Sequence, residues 1–420
     1  MSDDLGVERA YVPRLADHAI DLLLGQLPAV LVVGPRATGK TTTARRYVRT
    51  FVRLDRPAEA VAFRADPDAA LRGLEEPVLL DEWQVVPEVL GAVKRAVDDD
   101  PRPGRFLITG SVRGDLDAAT WPGTGRLVRV TMFGITEREF RGDRLTQSFL
   151  DRVDEHGAAA LQAPRDPPDL RGYVELALRS GYPEPALRLG PQTRPVWMDS
   201  YIEQLLTRDA EQVENGGRDP ERLRRYFQAV ALNTAGVVAD RTLYEAAGLN
   251  RRTAVAYEQL LKNLFVLEWL PSWSSNRLKR LVRAPKRHLV DPALAAAALR
   301  LDTNAVLRDG DILGRIIDGF VTAQIRAEAA TSPARHRLYH VRSDQGRHEI
   351  DLLIEMRARR VVAIEVKADA APGLDAAKHL RWLEDELGEQ FALGIVFHTG
   401  PRRYQLAERI VAAPVAAIWA

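Results

Sequence analysis

The segment Ala29–Thr43, AVLVVGPRATGKTTT, limits what this chain can fold into more than any other. An apolar run leads into the pattern G-x-x-x-x-G-K-[ST] at Gly34–Thr41, and a helix-compatible run follows. Val30–Val33 read as a buried parallel strand and Thr41–Thr50 as the helix after it. A strand, a glycine-bearing turn and a helix in that order gather backbone N–H groups at a positive helix end, where phosphate oxygens are stabilised. The candidate phosphate-binding residues are Gly34, Pro35, Arg36, Ala37, Thr38, Gly39, Lys40, Thr41 and Thr42. Gly34 and Gly39 supply backbone freedom, Lys40 meets the β- and γ-phosphates, and the Thr41 hydroxyl is a Mg²⁺ ligand. The expected ligands are ATP and Mg²⁺.

A second element, PVLLDEWQ at Pro77–Gln84, is an apolar strand ending in two carboxylates. That end of a parallel sheet is where open α/β folds bind ligands. Asp81 is expected to hold Mg²⁺ through water, and Glu82 to orient or deprotonate the water that attacks the γ-phosphate. A third element, RFLITGS at Arg105–Ser111, brings Thr109 and Ser111 to the same edge as candidate γ-phosphate sensors. Arg126 is a candidate arginine finger, or else a solvated arginine at a strand start. Arg36 is open in the same way.

The 59 basic and 58 acidic residues leave a formal charge of +1, so any nucleic-acid site has to be a local patch. The absence of cysteine excludes disulfides and thiolate chemistry. The acidic, polar opening MSDDLGVERA does not resemble a secretory signal, and no apolar run reaches the roughly 18 residues of a spanning helix. A soluble, cytoplasmic protein is expected.

The pattern predicts a leader helix within 1–28, with Leu15, Ile20, Leu23 and Leu24 on its apolar face. From 29 to 140, strands at Val30–Val33, Phe51–Leu54, Val78–Leu80, Phe106–Ile108 and Leu127–Met132 alternate with helices, as in a parallel α/β sheet. A linker with one helix is expected over 141–171, and a mostly helical region over 172–300.

Within that region, about 220–290 reads as a winged-helix-like unit. Three helices are expected at Arg222–Leu232, Asp240–Ala247 and Arg251–Leu261, with a break at Gly248 and a cap at Asn250. Arg251, Arg252 and Thr253 then head a recognition-type helix. Downstream, Arg277, Lys279, Arg280, Arg283, Lys286 and Arg287, with Trp273 nearby, form a basic hairpin suited to phosphates. The alternative is a charged protein-docking or lid module.

From 310 to 420 a small α/β unit is expected, with strands Ile350–Ile354, Val361–Val366 and Ala392–Phe397 and a helix at 374–387. Asp351 on one strand and Glu365 and Lys367 on the next form the core of a PD-(D/E)xK nuclease pattern. Period-two alternation puts Glu365 and Lys367 on one face. Asp351 and Glu365 are candidate Mg²⁺ ligands and Lys367 a candidate catalytic cation, with Asp318 as a further acid from the preceding helix.

The motifs GPRATGKTT, LLDEWQVVPEVL, FLITGS and GRLVRVTMFGITEREF resemble those of a prokaryotic group of AAA-type P-loop ATPases. In that group the ATPase is followed by a domain of unknown function. SGYPEPAL, YIEQLLTRDA, APKRHLVDPAL, IDLLIE and IEVK extend the resemblance over nearly the whole chain. It implies an ATPase core, a winged-helix-like middle and a nuclease-like C-terminal fold. It also implies a homo-oligomer as one way to complete the site with a neighbour's arginine. Three functions follow as expectations: an ATPase switch acting on DNA or a protein partner, an ATP-regulated nuclease, or a non-catalytic nucleotide-binding scaffold.

Overall fold

The computed structural model describes residues 11–112, 125–142, 147–209, 219–274, 284–343 and 346–420. Near its start, Leu15–Leu24 form the expected leader helix, with Leu15, Ile20 and Leu24 buried. Five strands then make one all-parallel sheet: β1 Ala29–Val33, β2 Thr50–Arg53, β3 Val78–Asp81, β4 Phe106–Gly110 and β5 Leu127–Thr131. Their order is β2-β3-β4-β1-β5. Side chains alternate across the sheet, and both faces are covered. Ala29, Leu31 and Val33 pack with Leu80, Ile108 and the helix Val89–Asp99, whereas Val30 and Val32 pack with Leu79, Leu107 and the leader helix. This two-sided burial explains why the strands are continuous apolar runs.

The short helix Glu137–Arg141 ends this region and locks onto the long helix Gly310–Thr331. Arg138 Nη1 donates to both carboxylate oxygens of Glu328, at 2.9 and 2.8 Å. The Glu137 amide donates to Gln324 Oε1 at 2.8 Å. Glu328 Oε2 also accepts from the Phe149 amide at 2.8 Å. The Arg138–Glu328 pair is fully interior, at 3% and 1% side-chain exposure.

The expected linker carries its one helix, and from residue 147 on it packs against the rest of the chain. Its helix Phe149–His156 buries Phe149, Leu150 and Val153 in the same core as the helices that follow. Those helices include Leu170–Arg179, Arg194–Gln204, Pro220–Leu232, Asp240–Ala246 and Arg251–Asn263. After the last comes an antiparallel pair, β6 Leu267–Leu270 and β7 Lys286–Leu289.

A six-stranded mixed sheet closes the chain in the order β12-β13-β11-β10-β9-β8. Its strands are β8 Arg337–Ser343, β9 His348–Glu355, β10 Val361–Val366, β11 Phe391–His398, β12 Tyr404–Ala407 and β13 Ile410–Pro414. Val362 and Ile364 face the helical core, while Val361 and Ala363 face the helix Lys378–Leu387. β8, β12 and β13 were not expected from the sequence.

Asp151 pins the helix Phe149–His156 to the end of the long helix. Its carboxylate accepts from Ser148 Oγ at 2.7 Å and Ser332 Oγ at 2.9 Å, and lies 3.0 Å from His336 Nε2. Burial pushes this carboxyl up, but the hydrogen bonds from His336, Ser148 and Ser332 outweigh it and hold it down at about 2. A carboxyl held low stabilises the fold above the unfolded value near 4 and loses that contribution as pH falls toward 2. Asp151→Asn should therefore cost about 1–2 kcal/mol at pH 7, with the gap to the parent narrowing below pH 4. Urea unfolding at pH 7, 4 and 3 measures it.

Candidate nucleotide-binding site

The C-terminal ends of β1, β3 and β4 converge at one edge of the parallel sheet. Gly34 follows β1, Asp81 ends β3 and Ser111 follows β4. β4 lies between β1 and β3, so the phosphate turn and the Asp81–Glu82 pair stand on strands two apart. At Gly34 a Cβ would lie 2.1 Å from the Met132 carbonyl oxygen, so no side chain can stand there. Gly39 starts the following helix with φ +91°, in the left-handed region that glycine enters without strain. That helix is shorter than expected. It covers Lys40–Ala44, then a 3₁₀ turn at Arg45–Tyr47 leads into β2, which already begins at Thr50.

Lys40 is buried, and its Nζ donates to the carbonyls of Gly34 at 3.0 Å and Pro35 at 2.6 Å. Burial draws the ammonium down to about 8, against the pull of Glu82 and Asp81. Thr41 Oγ1 donates to Asp81 Oδ1 at 2.8 Å, and Thr109 Oγ1 donates to the same oxygen. Glu82 stands just past β3 with φ +59°, a left-handed conformation uncommon outside glycine. Its carboxylate accepts from Gln84 Nε2 and from Ser111 Oγ at 3.4 Å. Ser111 in turn accepts from Arg36 Nε at 3.2 Å. Arg36, Lys40, Thr41, Asp81, Glu82, Thr109 and Ser111 are thus drawn together from segments far apart in sequence. Thr42 is exposed one position beyond Thr41.

Arg126 is not drawn in. It precedes β5, whose Leu127 pairs with Ala29 at the start of β1, so it sits at the opposite edge of the sheet from Gly34. There its Nε lies 2.8 Å from Asp98 Oδ1. This placement does not fit a role as this chain's own arginine finger; Arg36, within the turn, is the arginine that bonds Ser111.

Arg14 and Gln84 are the residues that sequence reasoning missed. Arg14 is buried and donates to the Thr38 carbonyl through Nη1 and the Phe133 carbonyl through Nη2, each at 2.8 Å. Its Nε lies 3.1 Å from Glu139 Oε1. It therefore braces the turn from behind, and no local motif marks it. Gln84 lies two residues past Glu82 in a 3₁₀ turn, a spacing that could have drawn attention to it.

The helical half also reaches this turn. The Tyr201 hydroxyl lies 3.5 Å from the Arg36 carbonyl. The Ile135 amide donates to the Gly181 carbonyl at 2.6 Å. Asp291 Oδ2 accepts from Ser180 Oγ at 2.7 Å and from the Gly181 amide at 2.8 Å. The motifs SGYP and VDPAL, distant in sequence, meet here.

Thr41 and Asp81 offer two adjacent hard oxygen donors, which suits a Mg²⁺ ion whose remaining ligands come from phosphate and water. Among the described residues no three His, Asp or Glu side chains are placed to hold a metal ion by themselves. The substrate phosphates would have to complete the shell.

The C-terminal carboxylates are arranged differently. Lys367 Nζ lies 3.0 Å from Glu365 Oε2, as the shared face predicts, and Asp351 Oδ2 accepts from the Val366 amide at 2.9 Å. Lys286 enters from β7. Its Nζ donates to Asp318 Oδ2, to Asp351 Oδ1 at 3.0 Å and to the Asp351 carbonyl at 3.4 Å. An ammonium has three N–H donors, and all three are used here. Burial and the neighbouring Asp351 push Glu365 up to about 8, while burial pushes Asp318 up to about 6. An ammonium between the acids and a carboxyl that favours its proton do not fit a Mg²⁺ ion at this place.

The expected basic hairpin is likewise altered. Lys286 and Arg287 are buried at 1% and 2% exposure, and Trp273 is in the core of the C-terminal sheet. Arg287 bonds Glu258 through Nε and Asp240 through Nη2. Arg277, Lys279, Arg280 and Arg283 lie outside the described residues. Arg251 and Arg252 are exposed at the head of their helix, which Asn250 caps through the Thr253 amide at 2.9 Å.

Comparison with known proteins agrees with the first half of this picture. Residues 26–141 match the model of an AAA domain. Residues 170–305 and 313–418 match two domains of unknown function, DUF8612 and DUF4143. Two uncharacterized proteins, from Mycobacterium bovis and Mycobacterium tuberculosis, are each 29% identical over 397 residues, covering 93% of this chain and 81% of theirs. A Walker-type ATPase of Pyrococcus abyssi is similar in structure at a TM-score of 0.41 and 14% identity, over 69% of this chain and 96% of that one. No helix among the described residues is long and apolar enough to cross a membrane. The chain carries an AAA-type P-loop domain followed by a C-terminal DUF4143 region.

Proposed function

We propose that this chain is a Mg²⁺-dependent ATP hydrolase whose nucleotide state is passed to its C-terminal half, which engages DNA or a protein partner. The observation that carries this reading is the convergence of Lys40, Thr41, Asp81, Glu82, Arg36 and Ser111 at one sheet edge. Lys40 leaves the Gly34 and Pro35 carbonyls to meet the β- and γ-phosphates, while the turn's backbone N–H groups surround the phosphate oxygens. Bound beside Thr41 and Asp81, Mg²⁺ would neutralise phosphate charge. Glu82 orients the attacking water and accepts its proton, and Arg36 and Ser111 stand where a γ-phosphate would be sensed.

Transmission to the helical half is supported by the Tyr201–Arg36 contact and by the Asp291–Gly181–Ile135 path behind the turn. The three helices followed by the β6–β7 pair support a winged-helix reading of the middle. Exposed Arg251 and Arg252 favour a polyanionic partner there.

Nucleotide binding tests the first step. Replacing Lys40 with Ala should weaken ATP affinity by about 100-fold or more, because two to three charge-assisted bonds are lost. Titration with a fluorescent ATP analogue measures it. Unchanged affinity in the variant would overturn the assignment. Phosphate release with and without duplex DNA, single-stranded DNA and RNA then tests the output, stimulation by one of them identifying the partner class.

A further inference from the structure

β7 is only four residues long, yet every one of them is buried. Alternate side chains of a strand point to opposite faces, so Lys286 and Arg287 are sent in opposite directions. Arg287 reaches Glu258 and Asp240 in the three-helix unit. Lys286 reaches Asp318 of the long helix and Asp351 of β9. Both oxygens of each aspartate are occupied. Asp318 Oδ1 accepts from Thr322 Oγ1 at 3.1 Å, and Asp351 Oδ2 accepts from the Val366 amide. On the far side Lys367 holds one oxygen of Glu365, leaving Glu365 Oε1 buried with no hydrogen bond. Two ammonium groups thus stand among the three acidic side chains, and little charge remains for a divalent ion to balance. Buried carboxylates are too costly to keep ionised alone, so wherever they are ionised a cation has to stand beside them. Here the chain provides its own.

We propose that the Lys286 ammonium is the resident cation of the Asp318–Asp351–Glu365 cluster, closing it to divalent metal ions, and that removing this ammonium turns the cluster into a divalent-cation site. The carboxylates are then a clasp between β7 and the C-terminal sheet, and the nuclease-type pattern in the sequence marks a fold whose metal position is filled from within. This inference is independent of nucleotide hydrolysis, since it concerns a separate sheet.

Mn²⁺ binding to the full, nucleotide-free chain tests it, with free Mn²⁺ counted by electron paramagnetic resonance. Asp351→Asn serves to identify any ion bound at this cluster. The parent should show no Mn²⁺ site that Asp351→Asn abolishes. Lys286→Met should bind Mn²⁺ at least tenfold more tightly than the parent, and the double variant Lys286→Met/Asp351→Asn should lose that gain. Mn²⁺ should also raise the melting temperature of Lys286→Met but not that of the parent. A parent Mn²⁺ site that disappears in Asp351→Asn would overturn the proposal. So would a Lys286→Met protein, folded by circular dichroism, that binds Mn²⁺ no more tightly than the parent. If Lys286→Met does not fold, the comparison of parent with Asp351→Asn still decides whether the cluster is closed to metal.

Discussion

Glu82→Gln should keep ATP affinity within a few-fold of the parent while phosphate release falls by on the order of 100- to 10,000-fold, the usual contribution of a positioned general base. The amide preserves the shape and can still hydrogen-bond to Ser111, but it cannot take the proton of the attacking water. The parent geometry explains the split. Lys40, Thr41 and the glycine turn form the group proposed to meet the phosphates, whereas the Glu82 carboxylate is held by Gln84 and Ser111. Binding and turnover are therefore separable by substitution. A variant that hydrolyses at the parent's rate would remove Glu82 from the mechanism. A parent that binds ATP without releasing phosphate, with every nucleic acid tried, would instead leave a nucleotide-binding scaffold.

The largest stability effect is expected at the Arg138–Glu328 pair. Arg138→Ala leaves Glu328 interior with its guanidinium partner gone, and such removals cost about 3–5 kcal/mol. Burial already pushes the Glu328 carboxyl up to about 7, with Arg138 pulling it back down. A carboxyl raised in the folded state favours the fold while it is protonated, and that advantage is lost as pH rises through the folded value. The deficit of Arg138→Ala should accordingly be smaller at pH 5 than at pH 8. Guanidinium unfolding at both pH values measures it, and an equal deficit at the two would show that the lost interaction is not the charge pair. Because the pair joins the end of the AAA domain to the long C-terminal helix, the same variant should also loosen the contact between the two halves. Faster hydrogen exchange at the Phe149 amide, which Glu328 also holds, would register that loosening.

What could be read from sequence alone was what depends on neighbours along the chain. Gly34, Gly39, Lys40 and Thr41 lie within one turn, and Asp81 and Glu82 within one strand end, so spacing alone marked them as one candidate site. The five parallel strands were legible for a related reason, since burial on both faces writes an unbroken apolar run. Arg14 was not legible, because bracing a turn from behind demands only a guanidinium at the right point in space. Arg126 stayed open between two readings, because an arginine at a strand start has the same local pattern at either edge of a sheet. Lys286 and Arg287 did mislead. A run of basic residues ordinarily marks a solvated surface. Whether such a residue is interior depends on acids distant in sequence, Asp318 and Asp351 for Lys286 and Glu258 and Asp240 for Arg287. The edge strands β12 and β8 and the inner strand β13 were missed because their alternation is short or mixed with charge.

β7 has a mechanical meaning beyond the ions it holds. One strand of four residues is riveted on one side to the three-helix unit and on the other to the terminal sheet. Neither block can slide past the other without breaking a buried ion pair. Under the proposed coupling, a push delivered at Tyr201 or Gly181 would therefore move both blocks together, carrying Arg251 and Arg252 with the sheet.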